Sequence, residues 1–190
     1  MRIVLIIVVA AALIAAGYHL GQGDRVIAAG FYRPLDVAVS LIALAAIGVL
    51  AGRYANDGWI IAAVGFAAAM GAAALTPQGL ELPRERELTV VTLLAIGLLG
   101  AWSKKPQMAY IAIAVGLAGA THGHALTDGV GGASNAKYLA GFAMGSGAAI
   151  LAGMAIAQGA DRMDGSISMK IAAGVAGIGT YLTARQFGVL

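Results

Sequence analysis

The sequence predicts an all-α fold: a polytopic transmembrane bundle of seven helices, with a six-helix core and an N-terminal signal-like helix. Of its 190 residues, 60% are hydrophobic and only 11% are charged, which is too little polar surface for a soluble globule. The apolar segments are long and lack the alternation of the roughly ten-residue strands in an outer-membrane barrel. Most of the charged residues lie in the connections between these segments or close to the segment ends. We therefore predict one transmembrane domain, residues 1–190, in the lipid bilayer.

The first apolar segment has two interpretations. Residues 1–20 are either a signal peptide or a first spanning helix, and residues 21–190 are the six-helix core. Ala15 and Gly17 are small residues of the kind that a signal peptidase requires. If the segment is retained, the chain begins on the cytoplasmic side.

The core contains six further segments. Residues 21–36 are predicted to be a polar connection before them, with Pro34 in the first turn of the helix that follows. Residues 88–102 are short and span only if the charged turn before them contributes several residues. The predicted segments are 36–53, 58–76, 88–102, 107–121, 136–159 and 168–188.

The loop charges predict an orientation. With Met1 inside, the inner loops have a positive net charge and the outer loops have none, although Lys and Arg are equally numerous on both sides. The positive-inside rule counts cations, so it supports this orientation only through the short inner turns. The membrane is then expected to be a bacterial inner membrane, with the histidine-containing helix ends at its outer face.

Glycines predict how the helices pack. The chain has 28 glycines, most of them inside the apolar segments, and small residues let helix backbones approach closely in lipid. We expect segments 136–159 and 168–188 to form the closest helix pair, or to contact another membrane subunit or a second copy of the chain. The glycines expected to make these contacts are Gly141, Gly145, Gly174 and Gly177.

Two of the three histidines lie together at the end of one segment. His122 and His124 are followed by Asp128, and residues two apart cannot share one face of a regular helix. A chain that unwinds at Gly123 would direct both imidazoles towards one divalent ion. The alternative is that a helix end facing water simply carries polar residues, and the spacing alone does not separate the two.

The composition excludes other classes of function. The chain has no cysteine, so disulfides and thiolate metal ligands are absent. No basic run indicates a nucleic-acid partner. An enzyme is not predicted, because no nucleophile, base and orienting group can be assembled from these residues.

Several short motifs occur in a recognisable order. They are a signal-like helix followed by His19, the run Gly-Phe-Tyr-Arg-Pro-Leu at 30–35, a loop leading to Glu87, the pair His122-Gly123, and Tyr138-x-x-Gly141-Phe142. Their order resembles the HupE/UreJ family of nickel permeases, which are associated with hydrogenase and urease. The resemblance covers nearly the whole chain. It implies a six-helix core, a nickel or cobalt ion as substrate, and metal supply to a metalloenzyme.

The sequence departs from the family's two metal-binding motifs. The first motif is His, five residues, then Asp-His, and the matching positions here are Arg33, Val39 and Ser40. The second is Phe-His-Gly, one residue, Ala or Val, His-Gly, one residue, Glu. Its first histidine is kept as His122, whereas Leu126 and Gly129 stand at the positions of the second histidine and the glutamate. An arginine at a former ligand position repels a divalent cation.

A surviving metal site would therefore need a different set of ligands. It is expected to use His122 and His124, completed by Asp128, Glu87 or His19. No cofactor other than a nickel or cobalt ion is indicated.

Two functions from different classes remain open. One is a nickel or cobalt permease, or a metal-delivery protein. The other is a non-transporting accessory or structural subunit of a larger membrane complex. Ion pathways normally carry polar groups at depth, and the span centres offer little beyond Ser40, Thr92, Ser146 and Thr180.

Overall fold

The computed structural model describes residues 2–54, 56–75, 84–104, 106–127 and 135–189. Within these ranges the chain forms eight α-helices and no strand, which confirms the predicted all-α class. The helices are α1 Arg2–Gly23, α2 Arg25–Asp36, α3 Ala38–Arg53, α4 Gly58–Leu75, α5 Glu85–Ala101, α6 Met108–Thr127, α7 Ala136–Met163 and α8 Ile167–Gln186.

Most of these helices are long enough to cross a membrane. By length and composition, 5 of the described helices qualify, namely α1, α4, α6, α7 and α8, and the bent pair α2 and α3 raises the number to 6 if it is one span. Helix α5 has 17 residues and is the remaining segment of the predicted seven. The chain is an integral membrane protein.

The polar connection predicted at residues 21–36 is not a simple link between two spans, because nearly all of it is helical. Helix α1 continues to Gly23, and the side chain of Asp24 caps α2 by accepting hydrogen bonds from two backbone N–H groups of its first turn. Pro34 lies near the end of α2 and not in the first turn of the next helix. The chain bends by 78° between α2 and α3, around Val37.

The predicted closest helix pair was also wrong. The most extensive contacts join α5 to α8, α3 to α7, α4 to α6 and α2 to α7, whereas α7 and α8 contact each other only slightly. The reason is that each glycine of α7 faces a particular neighbouring helix. A side chain at Gly141 or Gly145 would collide with the backbone of Ile27 or Phe31 in α2, so these two glycines do permit close packing, but with α2.

The two glycines predicted on α8 have open space beside them in the described part of the chain. A Cβ at Gly174 or Gly177 would meet nothing within 4 Å in the described part of the chain. Helix α8 instead packs on α5 through Gly179, which lies against the backbone of Leu94, and through two alanines. A contact of Gly174 and Gly177 with a partner stays a prediction.

One end of the bundle collects most of its buried polar side chains, and we call it the polar end. Here α1 and α6 finish while α5 and α7 begin. Lys137 at the start of α7 pairs with Asp24 after α1 at 2.6 Å. The start of α1 lies at the opposite end, where Ile3 approaches Gly159 late in α7. Which end faces the cytoplasm stays a prediction.

Candidate functional site

The histidine stretch is part of a regular helix. Helix α6 continues through residues 121–127, so the chain does not unwind at Gly123. A Cβ at Gly123 would collide with the backbone of Ala69 in α4, which shows that this glycine serves helix packing. His122 is 0% exposed and His124 is 2% exposed. The interpretation of both as polar residues facing water was therefore wrong as well.

His122 is held by a serine from the neighbouring helix. Its Nδ1 and the Oγ of Ser40 share a hydrogen bond of 3.2 Å, and Ser40 is 1% exposed. The residue before His122 is Thr121, whose hydroxyl lies 3.4 Å from that of Thr92 in α5. Ser40, Thr92, Thr121 and His122 form a buried polar layer between α3, α5 and α6, near the polar end.

His124 faces the beginning of α5. Its Nε2 lies 3.9 Å from Oε1 of Glu85, and their side chains are 3% and 20% exposed. Neither ring nitrogen of His124 has a hydrogen-bond partner within the described residues. Sequence reasoning selected Glu87, which is half-buried, and missed Glu85. The helical signal that could have found it is the charged run at the start of α5, where an acidic residue favours the helix N-terminus.

One backbone carbonyl near the end of α6 accepts hydrogen bonds from two side chains of other helices. The backbone oxygen of Leu126 accepts hydrogen bonds from Nε of Arg33 and from the hydroxyl of Tyr138, each at 3.2 Å. The last carbonyls of a helix lack partners within the helix and carry partial negative charge. The guanidinium of Arg33 satisfies one of them and places a fixed positive charge at the polar end.

The fold brings together the two stretches that the sequence comparison singled out. Arg33 and Ser40, at the positions of the first motif, contact Leu126 and His122 of the second. The backbone of Gly30 also lies directly against that of Tyr138. The two motif positions therefore lie together between α2, α3 and α6, but of the side chains of Arg33, Ser40, His122 and Leu126 only the imidazole of His122 is of a type that commonly binds transition metals.

The remaining predicted ligands are dispersed or lie outside the described residues. His19 is exposed on α1, where it packs edge-on against Tyr18. Asp128 lies outside the described residues. Within the described ranges, no group of three or more His, Cys, Asp and Glu side chains could hold a metal ion. Metal binding at His122 and His124 stays a prediction.

Comparison with known proteins gives one match. A search of curated proteins and a search of solved structures each find nothing similar. The family model described as HupE / UreJ protein matches residues 4–182, which is almost the whole chain and includes every helix that contributes to the polar end. The chain therefore belongs to the HupE/UreJ family.

Proposed function

We propose that this chain is a non-transporting member of its family, an accessory membrane subunit that keeps the fold and has lost the ion site. The family is one of membrane proteins associated with nickel and cobalt transport. The proposal concerns what this particular chain does within that setting. It rests on the side chains that now occupy the polar end.

The hydrogen bond from Arg33 to Leu126 is the observation that carries the proposal. It holds a guanidinium, which stays charged at any physiological pH, beside the positions where the family has its ligands. A divalent cation would be repelled by this charge in a poorly solvated environment. The arginine thus takes the electrostatic role of the cation and also satisfies the end of α6.

The distribution of buried polar groups supports the same proposal. In the described residues, the buried polar side chains of α3, α5 and α6 all belong to the polar end: Ser40, Thr92, Thr121, His122, His124 and Thr127. The other buried polar side chains in the described residues are Ser146, near the middle of α7, and Ser168, at the start of α8. A path for a hydrated cation normally requires polar groups through the full depth of the bilayer.

One observation favours the permease or metal-delivery alternative. Both ring nitrogens of His124 are buried and lack hydrogen-bond partners in the described part of the chain, and native proteins seldom leave such groups unsatisfied. A metal ion would satisfy one of them. Glu85, at 3.9 Å, is the nearest carboxylate recorded for this ring.

Nickel flux into proteoliposomes tests the two functions. We expect the wild-type protein to give the same uptake as protein-free vesicles, and calorimetry to show weak nickel binding or none. A triple variant, Arg33→His, Ser40→His and Leu126→His, restores imidazoles at the matched positions and should bind nickel measurably more tightly. Saturable uptake by the wild type that disappears in His122→Ala, but persists in the exposed control His19→Ala, would establish the permease instead.

A further inference from the structure

An apolar groove runs along one side of α1, between this helix and α2, α3 and α7. Its volume is about 350 Å³. Every residue that lines it is apolar or aromatic, and the ones that matter below are Ile14, Tyr18, Tyr32, Leu41, Ala149 and Ala152. The groove does not involve the buried histidines.

The groove lies at the depth of lipid acyl chains. The charged turn formed by Asp24, with its partner Lys137, marks the membrane surface at the polar end. Tyr18 and Ile14 precede Asp24 in the sequence by about 9 Å and about 15 Å of helix, at 1.5 Å of rise per residue. Because the hydrocarbon of one leaflet is about 15 Å thick, Tyr18 and Ile14 lie within that leaflet. Ala149 and Ala152 are about 18 Å and about 22 Å along α7 from Lys137, so the groove extends from this leaflet towards the middle of the bilayer.

The walls and the rim of the groove differ in character. Ala149 and Ala152 on α7 are small and leave the space open, whereas Tyr18 and Tyr32 are 51% and 40% exposed. Tyrosine favours the boundary between hydrocarbon and headgroups, where its ring is in lipid and its hydroxyl is wet. The groove therefore has an apolar interior beside an amphipathic rim.

A cation lies on the same side of α2 as this rim. Arg25 is exposed and is seven residues before Tyr32, so that both side chains project from one face of the helix. Its neighbour Asp24 is already paired with Lys137. Arg25 is therefore available to contact a phosphate at the membrane surface.

We propose that the groove binds one acyl chain of a bilayer phospholipid, whose phosphate lies near Arg25. The apolar lining matches an acyl chain, and the exposed guanidinium of Arg25 on the side of the rim matches the phosphate of the same molecule. An apolar groove combined with a cation at the membrane surface favours a phospholipid over a helix of a second copy.

Native mass spectrometry of the full-length protein, extracted in a mild detergent from vesicles of phosphatidylglycerol and phosphatidylethanolamine, tests the proposal. We expect one retained phospholipid per chain. Ala152→Leu fills the groove and should reduce this adduct several-fold, whereas Ala173→Leu, on the exposed side of α8, should not. Arg25→Gln should weaken retention of phosphatidylglycerol in particular.

Tyr18→Ala provides a second variant, in case Ala152→Leu does not fold. It removes a half-exposed ring from the rim and should also reduce the adduct. Equal retention by Ala152→Leu and Ala173→Leu would overturn the proposal, as would the absence of any retained lipid in the wild type. A protein dimer that Ala152→Leu abolishes would assign the groove to a second copy instead.

Discussion

Arg33 and Leu126 are joined by a hydrogen bond of 3.2 Å between the side chain of one helix and the last turn of another. The bond connects α2 to the C-terminus of α6, whose carbonyls carry partial negative charge. Both residues stand at positions where the family has a histidine ligand. Arg33 places a positive charge at one of these positions, and Leu126 places an apolar side chain at the other. The hydrogen bond between them therefore has a structural consequence that does not depend on metal.

Removing this guanidinium should destabilise the bundle. We expect Arg33→Ala to lower the free energy of unfolding by about 1–2 kcal/mol, because a charge-assisted hydrogen bond to a helix end is lost. Arg25→Ala, at the exposed start of the same helix, is the matched control and should change little. Reversible unfolding in mixed detergent micelles measures both, and equal effects of the two variants would contradict the assignment.

Ser40 and His122 should be energetically coupled through the hydrogen bond that they share. A double-mutant cycle with Ser40→Ala and His122→Ala is expected to give a coupling of about 1 kcal/mol, the typical size for polar pairs between membrane helices. The control cycle pairs His122→Ala with Thr180→Ala on α8, whose hydroxyl bonds within its own helix. Additive effects in the first cycle would show that the contact contributes nothing.

Substitution by alanine should destabilise the protein at glycines that contact a neighbouring helix, and should have little effect at glycines with open space beside them. Gly141→Ala places a Cβ against the backbone of Ile27 and should cost about 1–3 kcal/mol, as overpacking does. Gly177→Ala meets nothing within 4 Å among the described residues and should be neutral or slightly stabilising, because alanine favours a helix. Comparable thermal stabilities in detergent for the two variants would contradict the helix positions.

The three histidines should differ in chemical reactivity. His19 is exposed, while His122 and His124 are buried at 0% and 2%. Diethyl pyrocarbonate should therefore modify His19 quickly and the other two slowly, with peptide mass spectrometry as the readout. In the denatured protein all three should react at similar rates. Rapid modification of His124 in the folded protein would place it in water.

The turn between α7 and α8 should show an acid-dependent contribution to stability. Hydrogen bonds from the backbone and side chain of Ser166, and then from Lys170, lower the pKa of Asp164 from 3.8 to about 2. A depressed pKa means that the stabilisation is complete above the unfolded value. It should therefore be lost as the pH falls from about 4 to about 2.

Asp164→Asn tests this, because asparagine keeps the side-chain oxygen without the charge. The difference in stability between wild type and variant should be constant above pH 4 and should shrink below it. A difference that does not vary with pH across this range would contradict the assigned contacts.

Hydropathy was sufficient to predict the class of fold. It did not predict helix α2, which is polar in composition. Residues 25–36 contain charges and a proline, which resemble a loop in composition. The Asp24 cap and the buried Gly30 and Phe31 make them an amphipathic helix. Such a helix is stabilised by packing on α7, and single-sequence hydropathy carries no information about that partner.

The sequence was sufficient to select His122 and the position of Ser40, but it did not predict that the histidines are buried. Sequence order suggested that His122 and the position of Ser40 belong to related motifs, and the structure places them in contact. Burial of the histidines was not predictable, because it depends on Gly123 admitting α4 next to α6. In the same way, glycine content indicated close packing, while the direction in which each glycine points decided the partner.

The pairing of α5 with α8 has a consequence for biosynthesis. Gly97 and Gly100 of α5 lie against Ala176 and Ala172 of α8, so α5 meets its main neighbour only after α6 and α7 have been synthesised. Until then its glycine surface is uncovered and available for wrong associations. This contact forms only when α8 arrives, and a chain arrested before Ile167 should therefore be recognised by quality-control proteases, because the glycine surface of α5 is still exposed.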